Sequence, residues 1–204
     1  GLNSIDPINS YNILEPTNSN ISIDFKKNFS ASYIKAIEND DFWGAIKDNE
    51  GIRDFNMDIY HVPQNGIGLP KSLRCKKVIT LHDIIPLKMP ETVSERYLKL
   101  FHEDMEGILD NCTGIITVSA FSQKDISEAF NYPLDKIYVT HLAAEDIYKP
   151  MDRAYCKSLI KDNYGIHEDF ILYVGGFSPR KNIIGIIEAF SKLKQSTSRE
   201  LKLL

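Results

Sequence analysis

The chain alternates between short runs rich in β-branched and aromatic residues and longer segments with apolar residues at helical spacing. The predicted strands are residues 11–14, 21–25, 58–62, 76–82, 115–119, 136–142 and 170–175, and another strand begins at 200–204. The predicted helices are residues 41–49, 91–109, 122–130, 153–164 and 182–194. This alternation, with several strands apolar throughout, predicts an α/β fold with a doubly wound parallel sheet.

Cap signals mark the ends of two of these helices. Ser122, followed three residues later by Asp125, is a variant of the capping box, and the sequence therefore predicts Ser122 as a helix cap. Asp152 is predicted to cap the helix that Gly165 ends. Ligands of doubly wound sheets sit beyond the carboxyl ends of the strands, so the residues that follow each strand are candidates for function.

One domain boundary is visible in the sequence. Residues 141–152 are a strand end followed by an acidic, proline-containing stretch, which is typical of a crossover between domains. We therefore predict a nearly complete first domain at residues 1–148 and the start of a second domain at residues 149–204. The elements after the crossover are too few to bury a doubly wound core by themselves, so we expect the second domain to be incomplete.

Composition excludes several classes of protein. The 204 residues carry a formal charge of −4 and contain no dense run of Lys and Arg, which argues against a nucleic-acid partner. Three widely spaced cysteines without a CxxC motif argue against a disulfide framework and a zinc site, and favour a reduced, cytoplasmic setting. No segment has the roughly 18 unbroken apolar residues of a membrane span, and no secretory signal begins at residue 1.

The strongest local motif is YVGGFSPRKN at residues 173–182, where a strand passes through a glycine turn into a helix. Gly175 and Gly176 allow the backbone to approach a ligand closely. Arg180 and Lys181 stand at the helix N-terminus, where cations oppose the helix dipole unless an anion binds there. A diphosphate fits this arrangement, with the alternative being two solvated basic residues on a loop.

The second motif is TLHDIIP at residues 80–86, with His82 and Asp83 closing the predicted strand at 76–82, which is rich in β-branched residues. A histidine at this position could donate to a sugar hydroxyl or a phosphate. Neighbouring residues of a strand point to opposite faces, so the pair is not a preassembled His–Asp dyad. On spacing alone, a structural histidine bonded to a backbone carbonyl is the stronger interpretation of His82.

Two further residues follow strands at the same predicted edge. Ser119 has no simple structural explanation in the sequence, and Asn65 opens a GxG-containing turn that Pro70 separates from any helix, so the turn is not a dinucleotide fingerprint. Both are predicted to line the crevice. No His or Cys spacing suits a metal and no Asp-x-Asp occurs, so we expect no metal site.

Taken in order, these motifs resemble the retaining glycosyltransferases with two Rossmann-like domains, known as glycosyltransferase family 4 of the GT-B fold. The resemblance runs from about residue 58 to 194, through DIYHVPQN, VITLHDIIP, TVSAFSQKDI, a crossover ending YKP, and YVGGFSPRKNIIGIIEAF. Within the family, the motifs resemble those of bacterial mannosyl- and rhamnosyltransferases of polysaccharide assembly. The family's first strand and glycine-rich loop would precede residue 1, and its paired-glutamate motif would follow Leu204.

The resemblance implies a set of functional expectations. Lys181, and with it Arg180, would bind the donor diphosphate, and His82 would lie near the donor sugar. His82 and Asp83 are therefore the candidate catalytic residues. The co-substrate would be a GDP- or UDP-linked sugar with no further cofactor, and the acceptor a glycan or lipid-linked sugar. The leaving phosphate would help to deprotonate the acceptor during front-face retention. The parent protein would be cytoplasmic, with peripheral association at the inner membrane face left open.

One departure and three alternatives accompany the resemblance. Many members have an arginine where this chain has Gly176, so either Arg180 replaces it or diphosphate binding is weaker. The chain by itself is expected to be inactive. A noncatalytic Rossmann-like binding or assembly module and a GT-B-fold epimerase are the alternatives to a transferase, and a periplasmic sugar-binding protein is a poorer third. Nucleotide binding separates the enzymes from the noncatalytic module.

Overall fold

The structure, a computed structural model, describes residues 2–16, 27–34, 52 and 56–204. Its strands are Tyr11–Pro16 (β1), Phe29–Ile34 (β2), Ile59–Val62 (β3), Lys76–Thr80 (β4), Gly114–Thr117 (β5), Ile137–Val139 (β6), Asp169–Ile171 (β7) and Leu201–Leu203 (β8). Its α-helices are Leu2–Ile5 (α1), Ile85–Lys88 (α2), Glu95–Asn111 (α3), Ala120–Phe130 (α4), Arg153–Tyr164 (α5) and Ile183–Ser196 (α6). Short 3-10 turns occupy Pro90–Thr92, Leu134–Lys136 and Pro179–Lys181.

Contacts within the chain divide it into two units. The first comprises Gly1–Ile84 with Arg96–His141, and the second comprises Ile85–Glu95 with Leu142–Leu204. The domain boundary predicted from the sequence after residue 148 stays a prediction.

A four-stranded parallel sheet forms the centre of the first unit, and it confirms the predicted fold class. The strands follow chain order, β3-β4-β5-β6, and each pair is parallel. β1 and β2 form a separate parallel pair. Because the four strands of the larger sheet are parallel, their carboxyl ends lie along one edge. The backbone leaves the sheet there in the segments that follow Val62, Thr80 and Thr117.

The core of the first unit lies between this sheet and helices α3 and α4. Fully buried side chains come from strands β4 and β5, where Ile79 and Ile115 are 0% exposed, and from Ile126 of α4. The predicted apolar stripe of α3 is confirmed at Phe101, Met105 and Ile108, which are all buried. These side chains recur at the three- and four-residue spacing that keeps them on one face of the helix.

Several predicted boundaries move in the structure. The helix predicted at residues 91–109 is a 3-10 turn at Pro90–Thr92 followed by α3 at Glu95–Asn111. The strand predicted at 76–82 ends at Thr80, so the prediction that His82 and Asp83 close the strand is wrong. β2 was not predicted at all. The strand predicted at 21–25 and the helix predicted at 41–49 lie outside the described residues.

The second unit contains a parallel pair, β7 and β8, together with α5 and α6. Asp152 caps α5 as predicted, since its Oδ1 accepts a hydrogen bond from the N–H of Tyr155 at 2.8 Å, and Gly165 ends the helix at φ 65°. The ammonium of Lys157 lies 2.6 Å from Asp169, which links α5 to β7. This ammonium holds the pKa of Asp169 below its usual range.

Phe101 supplies the first test of this packing. Its ring is 1% exposed and lies 6.2 Å from Tyr97 and 6.5 Å from Phe130 between ring centroids. Phe101→Ala is expected to lower the free energy of unfolding of the first unit by about 3–5 kcal/mol, because it leaves a cavity in the core. Urea denaturation followed by circular dichroism measures this change.

The matched control is Phe121→Ala, because the Phe121 side chain is 75% exposed. Its expected effect is within about 0.5 kcal/mol. Equal losses for the two variants would contradict the assigned core.

Candidate functional site

The turn after β3 is built around three left-handed residues. Asn65, Gly66 and Gly68 have φ angles of 50°, 72° and 86°. A Cβ at Gly66 would lie 2.7 Å from Cγ2 of Ile108 and 3.1 Å from Cγ2 of Ile79. Glycine is therefore required at position 66 both by the backbone angle and by the core against which the turn packs.

Asn65 joins this turn to two other segments of the first unit. Its backbone N–H donates to the Thr80 carbonyl at 2.7 Å, and its Oδ1 accepts from the backbone N–H of His82 at 3.2 Å. Its side-chain amide donates to the hydroxyl of Tyr97 on α3. Asn65 was predicted to line the crevice, and the structure places it as the link between the ends of β3 and β4.

His82 lies two residues beyond β4, half-buried, with Asp83 beside it. The ring Nε2 of His82 is 3.2 Å from the carbonyl oxygen of Pro63 in the turn after β3. This is the backbone-carbonyl contact that spacing alone favoured for this histidine. Burial raises the pKa of Tyr97, and the nearby carboxylate of Asp83 raises it further. His82, Asp83 and Asn65 thus lie near one another at the carboxyl edge of the sheet.

Ser119, not Ser122, is the cap of helix α4, so the predicted cap is wrong. The Ser119 side chain accepts a hydrogen bond from the N–H of Ser122 at 3.0 Å, and Ser119 has the extended backbone of an N-cap residue. The hydroxyl that the sequence left unexplained therefore has a structural role. Its predicted place in the crevice stays a prediction.

Sequence analysis missed Tyr97 and Thr117. Tyr97 was interpreted only as part of the apolar stripe of α3, although a buried tyrosine hydroxyl needs a hydrogen-bond partner, and that need was the available signal. Thr117 ends β5 and is 0% exposed, and its hydroxyl has no hydrogen-bond partner among the residues that the structure describes. A polar residue ending an apolar strand was the corresponding signal for Thr117.

The glycine loop of the second unit follows β7. The hydroxyl of Tyr173 donates to the carbonyl of Gly176 at 2.8 Å, which folds the tyrosine side chain back over the loop. A Cβ at Gly175 would lie 2.6 Å from this hydroxyl, whereas a Cβ at Gly176 would meet nothing within 4 Å. Gly176 therefore leaves open space at the position where many members of the family that the sequence resembles carry an arginine.

Arg180 and Lys181 lie in the 3-10 turn that connects this loop to α6. Both side chains are exposed, and neither forms an ion pair with any residue that the structure describes. Asn182 follows at φ 49° and caps α6, with its Oδ1 accepting from the N–H of Gly185 at 3.2 Å. The two predicted diphosphate ligands are therefore presented to solvent immediately before a helix N-terminus.

Two negative findings concern the described residues alone. Among them, no three or more His, Cys, Asp or Glu side chains are grouped in a way that could hold a metal ion. None of the helices in this part of the chain has the length and apolar character needed to cross a membrane.

Comparison with known proteins decides the family. The family model of Glycosyltransferase Family 4 matches residues 34–144, which is more than half of the chain and includes Asn65, His82, Asp83 and Ser119. The chain belongs to glycosyltransferase family 4.

Two curated relatives illustrate the similarity of this family 4 chain to longer proteins. The O-antigen chain mannosyltransferase B of Escherichia coli is 33% identical over 153 residues, which is 75% of this chain and 39% of that protein. The serotype-specific mannosyltransferase WbdA of Escherichia coli is 29% identical over 125 residues, which is 58% of this chain and 15% of that protein. The chain therefore spans less than half the length of each.

The assignment of Ser119 as the N-cap of α4 in this family 4 chain can be tested by substituting Ser119 and Ser122 separately. Ser119→Ala is expected to destabilise the first unit by about 1 kcal/mol, because the N–H of Ser122 loses its acceptor. Ser122→Ala keeps that N–H and is expected to cost clearly less. Urea denaturation of the two variants makes the comparison, and the reverse order of stabilities would restore Ser122 as the cap.

Proposed function

We propose that the protein transfers a hexosyl group, with retention, from a GDP- or UDP-linked sugar to a glycan or lipid-linked acceptor. Membership of glycosyltransferase family 4 supports the transfer of a sugar. Both relatives described above are named mannosyltransferases, which favours mannose as the hexose. The whole protein's donor, acceptor and stereochemical outcome are parts of this proposal.

The exposed pair Arg180 and Lys181 is the observation that carries the proposal. A nucleotide diphosphate leaving group carries concentrated negative charge, which a guanidinium binds through paired hydrogen bonds and an ammonium binds as a compact charge. The N-terminus of α6 adds N–H groups and a positive dipole end. Because no described carboxylate neutralises the two cations, their charge is available to an anion.

In the proposed reaction, the two cations stabilise the negative charge that develops on the diphosphate as the bond to the sugar breaks. We assign His82 and Asp83 to the orientation of sugar hydroxyl groups. In this reaction the protein groups position the substrates and neutralise the developing charge.

Lys181→Ala in the full-length protein tests the assigned diphosphate site. We expect kcat/KM for the nucleotide sugar to fall about 10²–10³-fold, because a charged group that stabilises the transition state is lost. Steady-state transfer assays with GDP- and UDP-linked hexoses measure the loss, and calorimetric titration with GDP and UDP measures nucleotide binding separately.

The matched control is Lys192→Ala, since Lys192 is exposed on α6, about two and a half turns after that helix begins at Ile183. This variant is expected to keep the wild-type kcat/KM. Wild-type turnover by the Lys181→Ala protein would contradict the assigned site. Failure of the wild-type protein to bind GDP and UDP at millimolar concentration would favour a noncatalytic module.

A further inference from the structure

The hydrogen bond between Asn65 and Tyr97 has no role in the reaction proposed above. Asn65 bonds the carbonyl of Thr80 and the N–H of His82, which lie on either side of Leu81 at the end of β4. Its side-chain amide also bonds Tyr97 on α3, 32 residues away in the chain. Through its side chain and its backbone, Asn65 thus connects the ends of two strands to a helix.

The orientation of the Asn65 amide follows from its partners. A backbone N–H is only a donor, so the group that faces the His82 N–H must be the amide oxygen. The NH₂ group then faces Tyr97, whose hydroxyl oxygen can accept a hydrogen bond. The His82 N–H thus sets the orientation of the amide, and the hydroxyl of Tyr97 accepts from the NH₂ group and holds the Asn65 side chain in place.

The ring of His82 is held by the same turn. Nε2 lies 3.2 Å from the carbonyl oxygen of Pro63, which is two residues before Asn65. A carbonyl oxygen only accepts hydrogen bonds, so Nε2 must carry a hydrogen for this contact to be favourable. In the neutral ring, Nδ1 is then the nitrogen with a free lone pair, and no residue that the structure describes is bonded to it.

We propose that Asn65 and Tyr97 are positioning residues that hold His82 in the Nε2–H form, so that Nδ1 is kept as an acceptor for a hydroxyl of the bound sugar. The role of the sugar rests on the proposed function, whereas the tautomer and its dependence on Asn65 and Tyr97 do not. Asn65 fixes the backbone of His82, and Pro63 fixes its ring. Displacement of the backbone therefore weakens the ring contact.

Two variants separate this role from ordinary packing. Asn65→Gly removes the amide but tolerates the left-handed backbone at φ 50°, so the turn can keep its shape. Tyr97→Phe removes only the hydroxyl that accepts from the Asn65 amide. Asn131→Gly is the matched control, because Asn131 is also left-handed, at φ 49°, and is the C-cap of α4.

The first readout is the tautomer of His82 in the ¹⁵N-labelled chain, from long-range ¹H–¹⁵N correlation spectra of the histidine rings. The wild-type protein and Asn131→Gly are expected to show protonated Nε2 and bare Nδ1. Asn65→Gly and Tyr97→Phe are expected to show a mixture of the two tautomers. His61 is an internal reference, because its Nε2 contacts Thr80 Oγ1 at 2.8 Å and its own signals should change less.

The second readout is transfer by the full-length protein. Asn65→Gly and Tyr97→Phe are expected to lower kcat about tenfold to a hundredfold, the scale of a misplaced reacting group, with a smaller change in the KM of the donor. Asn131→Gly is expected to keep the wild-type kcat.

The two readouts fail separately. A His82 ring that keeps the same tautomer in both variants would overturn the positioning role, whether or not the protein is an active transferase. Unchanged kcat together with a shifted tautomer would also overturn it, because the ring state would then be irrelevant to turnover. A wild-type protein that transfers no sugar would refute the proposed function, and the tautomer would still decide whether Asn65 and Tyr97 hold the ring.

Discussion

Burial of the four-stranded sheet determines where in the first unit polar side chains can contact a ligand. Ile79 and Ile115 are fully buried within neighbouring strands, so a ligand cannot reach the middle of the sheet. The polar residues that end these two strands, Thr80 and Thr117, are buried, and accessible polar side chains follow them where the backbone leaves the sheet. Asn65, His82 and Ser119 each follow the last residue of a strand by two or three positions. Because the strands are parallel, these positions lie along one edge, which is where doubly wound folds bind ligands.

The order and type of the elements could be predicted because they depend on local patterns. Apolar side chains at helical spacing identified α3, and β-branched runs identified β4 and β5. β2 was missed although its sequence, FSASYI, alternates between apolar and polar residues, because alanine is depleted in strands and serine is typical of turns. Its pairing depends on contacts with β1, including the stacked rings of Tyr11 and Phe29 with centroids 4.5 Å apart. Such pairing joins residues that are distant in the chain, so a local sequence pattern does not reveal the partner strand.

The detailed roles of the edge residues depend on geometry that spacing does not contain. Ser119 and Ser122 are chemically identical candidates for the cap, and the extended backbone of Ser119 just after β5 decides between them. The contact between Asn65 and Tyr97 requires a turn and a helix that are far apart in sequence. The prediction that His82 and Asp83 end a strand failed for a similar reason. The carbonyl of Thr80 is bonded by Asn65, where the backbone leaves the sheet.

The glycine loop of the second unit shows how two cations can stand just before a helix N-terminus. Asn182 caps α6 through the N–H of Gly185, and its carbonyl accepts from the N–H of Ile186 at 3.2 Å. The helix start is therefore stabilised by the chain itself. Water screens the exposed charges of Arg180 and Lys181, so their unfavourable interaction with the helix dipole is small in the free protein. An incoming diphosphate would displace some of that water and strengthen its attraction to both cations. Under the proposed function, the pair would thus contribute to binding and catalysis rather than to folding.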